Sequence, residues 1–302
     1  RIRKQWLRCD LPIGVIGERV NLTYDYRYIG AGPDSLKELK AGHPLFDDLK
    51  AAKNPMIIVG QGALARADGA FVLNAVSRLA AEIGAGKEGW NSLNILHTAA
   101  ARVGGLDLGF LPRDGGHDVA GMMKAASAGE LDTLVLLGAD EIEMSKLGDA
   151  TVVYIGSHGD AGAHRADVIL PAAAYTEKSA TFVNTEGRVQ RTQRAVAPKG
   201  EAREDWAIIR ALSGYVGKTL PYDNINQLRA KLGADHPTFL GLDFAPGASD
   251  APVAQAYGSA GVLSSAPFVS PIDAFHLTNP IARASKTMAE CAQLAADAAA
   301  PA

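Results

Sequence analysis

Four short apolar runs, each closed by glycine or proline, constrain the fold of this 302-residue chain more than any other feature. The runs lie within residues 56–60, 134–138, 151–156 and 167–171, the third of which begins with Thr151 and the last with Asp167. Uninterrupted apolar runs of this length are typical of parallel strands that are buried on both faces. A stripe of apolar residues at helical spacing, from Val72 to Ile83, follows the first run and predicts a helix that packs on the sheet. The pattern therefore predicts an α/β fold with a doubly wound, mostly parallel sheet.

The rest of the chain predicts further helices, a hairpin and an irregular arm. Helices are expected over residues 92–103, 119–128, 202–216 and 223–232, and a polar hairpin over residues 181–192. Residues 240–271 are rich in glycine, proline, serine and alanine without a regular period. This composition predicts a long irregular arm that becomes ordered only against a partner, because it has few apolar residues to bury.

These elements divide the chain into three predicted regions. Residues 1–54 are the end of a preceding domain, residues 55–239 form the α/β domain, and residues 240–302 form the arm and a C-terminal helix. The opening residues, from Arg1 to Trp6, lack the apolar core of a signal peptide. We therefore expect the chain to be an excerpt from a longer polypeptide.

Composition and charge exclude several classes of function. Hydrophobic residues make up 47% and charged residues 21% of the chain, which is typical of globular proteins. The net charge of −3 argues against a nucleic-acid partner, because such proteins carry a basic surface. The longest apolar runs are far shorter than the roughly 20 residues of a membrane span, so no direct membrane insertion is predicted. The two cysteines, Cys9 and Cys291, cannot supply the four thiolates that usually hold an iron–sulfur cluster.

Glycines and carboxylates follow the predicted strands, where ligands bind in open α/β sheets. Gly60, Gly138 and Gly156 would let a phosphate approach the backbone, and Asp140 could accept a hydrogen bond from a ribose. The glycine fingerprint of dinucleotide-binding folds is present only in a weaker form, with alanine last, at residues 60–65. The alternative is that these residues serve turns and packing alone.

Two further groups of polar residues lie near the same predicted edge. His158 and His164 could face a metal ion, although a histidine satisfied by backbone partners is the simpler interpretation. Glu177 and Glu186 could form a carboxylate pair, and Arg188 could hold a phosphate. The same side chains could instead pair locally and satisfy their own backbone. The spacing does not decide between these alternatives.

The sequence lacks the short motifs that accompany several common catalytic mechanisms. It contains no G-x-S-x-G elbow, no Walker loop and no H-E-x-x-H zinc motif. We therefore predict no catalytic residue and no metal site in this chain.

Several longer strings resemble a known superfamily. The string A-D-V-I-L-P at residues 166–171, with N-T-E-G-R-V-Q at residues 184–190, resembles the molybdopterin-dependent oxidoreductases, which include formate dehydrogenases and nitrate reductases. The fuller resemblance is to one branch, the large iron–sulfur subunits of respiratory complex I. It is carried by strings such as R-E-D-W at residues 203–206, L-P-Y-D at residues 220–223 and I-A-R-A-S at residues 281–285. These strings span nearly the whole chain.

The resemblance implies a domain that kept the molybdopterin-type sheet and lost its cofactor. Iron–sulfur clusters would lie in a region upstream of Arg1, and the segment itself would hold no cofactor. Its partners would be other subunits of the peripheral arm, on the sides of the flavin-containing subunit and of the quinone module. The location would be peripheral to the inner membrane, on its cytoplasmic or matrix face.

The resemblance thus predicts a structural role in NADH:quinone oxidoreductase. Two alternatives remain open at this stage. One is a fragment of an active molybdopterin-dependent oxidoreductase, and the other is an α/β module that binds a small anion or a nucleotide.

Overall fold

The computed structural model of the chain describes residues 1–87, 89–100, 102–245 and 257–299. The chain divides into two compact units, each assembled from two segments. The first unit contains Arg1–Arg102 and Ala245–Asp273, and the second contains Val103–Phe244 and Ala274–Ala302. The division falls inside the predicted α/β region of residues 55–239, whose boundaries remain a prediction.

The first unit combines short helices with paired strands. In chain order its described elements are α1 (Ile2–Cys9), β1 (Gly14–Ile16), β2 (Arg27–Gly30), a 3-10 helix (Pro33–Glu38), α2 (Pro44–Ala51), β3 (Ile57–Gly60), α3 (Gln61–Leu64), α4 (Gly69–Glu82), β4 (Gly86–Lys87), β5 (Trp90–Asn91) and β6 (Leu93–Leu96). Strand β1 pairs with β2 and β3 with β6, both in parallel, while β4 and β5 are antiparallel. The strand predicted at residues 56–60 is confirmed.

Strand β6 replaces the first half of the helix predicted over residues 92–103, and that prediction is wrong there. Leu93 pairs with Ile57 and Ile95 with Val59 in the parallel register. Alternate residues of a strand share a face, and Leu93 on β6 packs with Val59 and Val72 in one core. The chain becomes helical only in the next element, α5 (Arg102–Asp107).

The second unit contains the larger parallel sheet. After α5, its described elements are α6 (Val119–Ser127), β7 (Thr133–Leu137), a 3-10 helix (Met144–Leu147), β8 (Thr151–Gly156), α7 (Ala161–Arg165), β9 (Val168–Pro171), β10 (Thr181–Val183), β11 (Val189–Arg191), α8 (Asp205–Tyr215), α9 (Ile225–Asp235), a 3-10 helix (Pro237–Leu240), a 3-10 helix (Phe275–Leu277), α10 (Pro280–Arg283) and α11 (Lys286–Ala299). Strands β7, β8 and β9 are neighbours in that order and parallel. The predicted α/β class and the last three predicted strands are confirmed.

Strand β7, at the edge of the three-stranded sheet, is covered well on one face only. Leu136, Val152 and Tyr154 are buried on that face, where Ala126 of α6 packs against them. Val135 and Leu137 on the other face are each 47% exposed. The expectation that every strand is buried on both faces is therefore wrong at these positions. Ile58 of β3 in the first unit is similarly 41% exposed.

The polar hairpin and the two helices that follow it are confirmed. Strands β10 and β11 are antiparallel, with Val183 opposite Val189. These two valines and Phe239 form a small core that Leu232 of α9 packs against. Helix α9 begins directly after Asn224, whose side chain accepts hydrogen bonds from the Asn226 and Gln227 N–H groups in the first turn.

Residues 257–271 of the predicted irregular arm pack on the first unit. The Asp68 carboxylate accepts a hydrogen bond from the Ser264 N–H at 2.9 Å, and Arg66 Nη1 donates to the Pro267 carbonyl at 2.8 Å. Leu263 and Phe268 join the core beside α4. The expectation that the arm needs a partner to become ordered is therefore wrong for residues 257–271. Residues 246–256 of the predicted arm lie outside the described residues.

None of the helices in the described ranges combines the length and the apolar character that crossing a bilayer requires.

Removal of the Asp68 carboxylate tests how residues 257–271 of the arm are bound to the first unit. Its carboxylate binds both Arg66 Nε and the Ser264 N–H, and these two hydrogen bonds lower the pKa of Asp68 below its usual value. We expect Asp68→Ala to release the arm and to speed hydrogen exchange of the Ser264 amide by about tenfold or more. Asp34→Ala is the matched control, because Asp34 pairs with Lys37 at the surface. Unchanged exchange at Ser264 in Asp68→Ala would contradict this account of the arm.

Candidate functional site

Three carboxylates gather at the carboxyl ends of neighbouring strands in the second unit. Asp140 and Glu141 follow β7, and Asp160 follows β8. Because β7 and β8 are parallel, their carboxyl ends lie at the same edge of the sheet, where open α/β sheets bind ligands. Asp140 is 4% exposed, so its carboxylate needs partners within the protein.

One arginine partners all three carboxylates. Arg283 Nη2 donates to Asp140 Oδ1 at 2.7 Å and to Glu141 Oε1 at 3.2 Å. Arg283 Nε donates to Asp160 Oδ2. We call these four residues the carboxylate–arginine cluster. The side chain of Arg283 is 22% exposed and that of Asp140 only 1%, so the ion pair is largely shielded from water.

Helix α10 places Arg283 at the cluster. Asn279 precedes the helix, and its side chain accepts a hydrogen bond from the Ala282 N–H at 2.9 Å. Pro280 occupies the first helical position, where its fixed backbone angle and missing N–H are tolerated. Arg283 is the last residue of this single turn, and its Nη1 also donates to the Leu277 carbonyl at 3.4 Å. Local capping therefore fixes the backbone from which the guanidinium reaches the sheet.

The second carboxylate oxygen of Asp140 accepts a hydrogen bond from the backbone of α7. Asp140 Oδ2 accepts a hydrogen bond from the Gly162 N–H at 3.1 Å, in the first turn of α7. A Cβ on residue 162 would lie 2.8 Å from the Tyr154 ring and 2.9 Å from Asp140 Cβ. Glycine is needed at this position because the two side chains approach the backbone closely.

Tyr154 fills the space beside the cluster. A Cβ on Gly156 would collide with the Tyr154 ring, so this predicted ligand-contact glycine makes room for an internal side chain. The Tyr154 hydroxyl donates to the His158 carbonyl at 3.0 Å. Burial and the nearby Asp140 and Asp160 carboxylates raise the pKa of Tyr154, which keeps the hydroxyl protonated as a donor.

Asp160 remains ionised because its partners outweigh its burial. Burial alone favours the neutral acid, but the hydrogen bonds from Arg283 and from the Ala161 N–H favour the carboxylate. The net effect lowers the pKa of Asp160 below its usual value of 3.8.

The remaining predicted site residues serve local contacts. Gly60 ends β3 in the first unit, and Gly138 has a φ of +62°, which a turn after β7 requires. Glu177 accepts a hydrogen bond from the Ala174 N–H at 3.0 Å. Arg188 Nε donates to Glu186 at 3.2 Å, and Arg188 Nη1 donates to the Asp243 carbonyl. These contacts match the alternative in which Glu177, Glu186 and Arg188 satisfy their own surroundings.

The two histidines predicted as a possible metal site do not form one with other residues. His158 Nδ1 lies 2.9 Å from Ser157 Oγ, and the charge of His164 contributes to the lowered pKa of Asp160. Across residues 1–87, 89–100, 102–245 and 257–299, no group of three or more histidine, cysteine or acidic side chains is placed to hold a metal ion.

The cluster does not fit the phosphates or the ribose of a nucleotide-type cofactor. Asp140, which could have accepted a hydrogen bond from a ribose, is committed to Arg283 and to Gly162. The surrounding carboxylates would repel a phosphate, and the Tyr154 ring lies over Gly156. Sequence reasoning singled out Asp140 but missed Arg283, although the string I-A-R-A-S around it contributed to the family resemblance.

Comparisons with known proteins agree with that resemblance. Residues 1–215 match the Molybdopterin oxidoreductase family. Residues 243–291 match a family that describes the C-terminal region of an NADH-ubiquinone oxidoreductase subunit.

Three similar relatives carry related names. The chain is 41% identical over 304 residues to the mitochondrial NADH-ubiquinone oxidoreductase 78 kDa subunit of Candida albicans, covering 96% of this chain and 40% of the relative. It is 39% identical to the mitochondrial NADH dehydrogenase [ubiquinone] iron-sulfur protein 1 of Solanum tuberosum, covering 97% of this chain and 39% of the relative. It is also 39% identical to the NADH-ubiquinone oxidoreductase 75 kDa subunit of Reclinomonas americana, covering 97% of this chain and 42% of the relative.

The chain spans about two fifths of the length of these relatives. The first family match covers more than half of the chain, and it agrees with the parallel sheets of the fold. This chain therefore belongs to the molybdopterin oxidoreductase family.

Proposed function

We propose that this chain is a structural portion of the peripheral arm of NADH:quinone oxidoreductase, respiratory complex I. It supports an iron–sulfur electron-transfer region that carries electrons from NADH and flavin towards quinone. The names of its relatives support this function, because all three are subunits of NADH-ubiquinone oxidoreductase or NADH dehydrogenase. The family match over residues 243–291 supports it independently of the sheet.

The carboxylate–arginine cluster is the observation that carries the structural role. In an open α/β sheet the edge beyond the strand ends is where a cofactor would bind. In this chain Arg283 and the Tyr154 ring take up that edge, and Asp140 is fully engaged by groups of the protein. A molybdopterin dinucleotide does not fit these residues. We therefore assign no reaction step to the chain and propose that it acts by holding its neighbours in place.

The iron–sulfur clusters belong to another region in this proposal. One relative is named an iron-sulfur protein, and the relatives are more than twice as long as this chain. Cys9 and Cys291 are free, and the described residues offer no other thiols. We place the clusters in a part of the parent subunit outside this sequence. Because electron transfer depends steeply on distance, fixing the clusters in space is itself a function.

The exposed sheet face supports contact with neighbouring protein. Parallel sheets are nearly always covered on both faces, yet Val135 and Leu137 are about half exposed. We propose that other peripheral-arm subunits or the rest of the parent subunit supply the second layer of a doubly wound sheet. The flavin-containing side and the quinone module are the candidate neighbours, and the location is peripheral to the inner membrane, on its cytoplasmic or matrix face.

Two alternatives carry no specific observation in their favour. These are a fragment of an active molybdopterin-dependent oxidoreductase and a module that binds a nucleotide or anion at the strand ends. The first predicts molybdenum or pterin in purified material.

Affinity purification of the tagged 302-residue chain from cells containing complex I tests the proposal. We expect other NADH dehydrogenase subunits to co-purify, with no stoichiometric molybdenum or pterin. Leu137→Asp should reduce co-purification about tenfold or more, because a charge on the open sheet face prevents apolar contact. Lys199→Asp is the exposed control. A free, monodisperse chain without these subunits would contradict the proposal, as would molybdenum bound at one equivalent.

Acid unfolding of an Arg283 variant tests the cluster. At pH 7, Arg283→Met should lower the free energy of unfolding by about 2–4 kcal/mol, because it leaves the Asp140 carboxylate buried without its cation. Since the pKa of Asp160 is lowered in the folded state, its contribution is present above its usual pKa and is lost as the pH falls through the folded value. The wild type should therefore lose more stability than the variant below about pH 4, and the two should converge.

Urea unfolding from pH 7 to pH 3 measures this difference. The control is Arg113→Met, an exposed arginine in the same unit, which should change stability by less than about 0.5 kcal/mol. An Arg283→Met variant as stable as the wild type at pH 7 would overturn the role given to the cluster.

A further inference from the structure

Helix α9 carries an arginine whose hydrogen-bonding edge is buried without a partner. Arg229 Nε and Nη2 are both shielded from solvent, and no hydrogen-bond acceptor among the described residues reaches either of them. Buried polar groups in folded proteins nearly always have partners, and an unpartnered charged donor is especially unfavourable. This edge therefore lacks the acceptor that a folded protein normally supplies.

The two unpartnered atoms define the shape of that acceptor. Nε and Nη2 lie along one edge of the planar guanidinium and donate in parallel from it. This edge matches two oxygens of one carboxylate or phosphate group, which it binds in a bidentate manner. A carbonyl or a single water would satisfy only part of the edge.

The charges around Arg229 favour an anion. Burial and the positive charge of Arg191 at the end of β11 lower the pKa of Arg229, and Glu204 acts in the opposite direction. The Glu204 carboxylate is already engaged by Trp206 Nε1 at 2.5 Å and by the Ser179 N–H at 3.4 Å. Two arginines thus lie near one another with one carboxylate that is used elsewhere. An added anion would supply the negative charge that the two arginines lack.

Other arginines of the second unit, unlike Arg229, have hydrogen-bond acceptors within the chain. Arg210 on α8 donates to the Tyr222 carbonyl at 2.8 Å and to the Asp223 carboxylate at 2.7 Å. Arg165 reaches the Gly148 and Ala150 carbonyls. In both cases the chain itself supplies the acceptors, as it does for the arginine of the carboxylate–arginine cluster.

We propose that the Nε–Nη2 edge of Arg229, with Arg191 beside it, binds a small oxyanion that carries a carboxylate or phosphate group. The site lies on α9 and β11, whereas the carboxylate–arginine cluster lies at the ends of β7 and β8. It is independent of the structural role proposed above, so either can fail without the other.

Thermal unfolding and calorimetric titration of the 302-residue chain test the site. The probes are inorganic phosphate and acetate, with sodium chloride at matched ionic strength as the reference. Phosphate should raise the melting temperature in a saturable manner, because a ligand that binds only the folded state stabilises it. Acetate should do so at higher concentration if a carboxylate alone suffices, and its failure would assign the site to phosphate.

Variants of Arg229 distinguish bidentate binding by the planar guanidinium edge from attraction by positive charge alone. Arg229→Gln should weaken phosphate binding about tenfold or more, and Arg229→Lys should also weaken it, because lysine keeps the charge but lacks the planar edge. Arg78→Gln, an exposed helical arginine in the first unit, should leave binding unchanged. If Arg229→Gln does not fold, Arg191→Gln provides the measurement and should weaken binding.

Two results would overturn the proposal. One is a phosphate response no larger than the response to chloride in the wild type. The other is a response that survives unchanged in the folded Arg229 variants, or in Arg191→Gln where those variants do not fold.

Discussion

The ion pair between Asp140 and Arg283 is the contact on which the organisation of the second unit depends. It joins residues 143 positions apart, so it ties the end of β7 to the C-terminal segment. The same carboxylate accepts a hydrogen bond from Gly162 at the start of α7. Because the Asp140 side chain is almost fully buried, loss of Arg283 would leave a charge that neither water nor another cation in the described structure compensates.

The sequence predicted the strands well and their surroundings poorly. The predicted runs at residues 56–60 and 134–138 contain strands β3 and β7 because continuous apolar runs bounded by glycine or proline favour extended structure. Residues 93–96 were predicted as helix, since a short run such as L-N-I-L fits both periods and only pairing with β3 decides between them. The open face at Val135 could not be predicted either, because burial depends on which layers pack there.

In the candidate site, too, the sequence predicts the position of a residue but not the residues that contact it. Asp140 was singled out because polar residues after a parallel strand lie at the ligand edge, and the structure places it there. Its partner could not be predicted, since Arg283 arrives from a distant helical turn and ion pairs of this kind leave no local spacing. Arg229 illustrates the converse case: a lone arginine on an amphipathic helix looks ordinary until the groups around its guanidinium are known.

In the role proposed for this chain, the parallel sheet is retained and the protein's own side chains occupy the edge where a cofactor would bind. A double-mutant cycle with Asp140→Asn and Arg283→Met measures this directly through urea unfolding at pH 7. The account predicts that the two changes are strongly coupled, with an interaction free energy of about 1.5–3 kcal/mol. Effects that add to within about 0.5 kcal/mol would show that the two side chains stabilise the unit separately and would contradict the account.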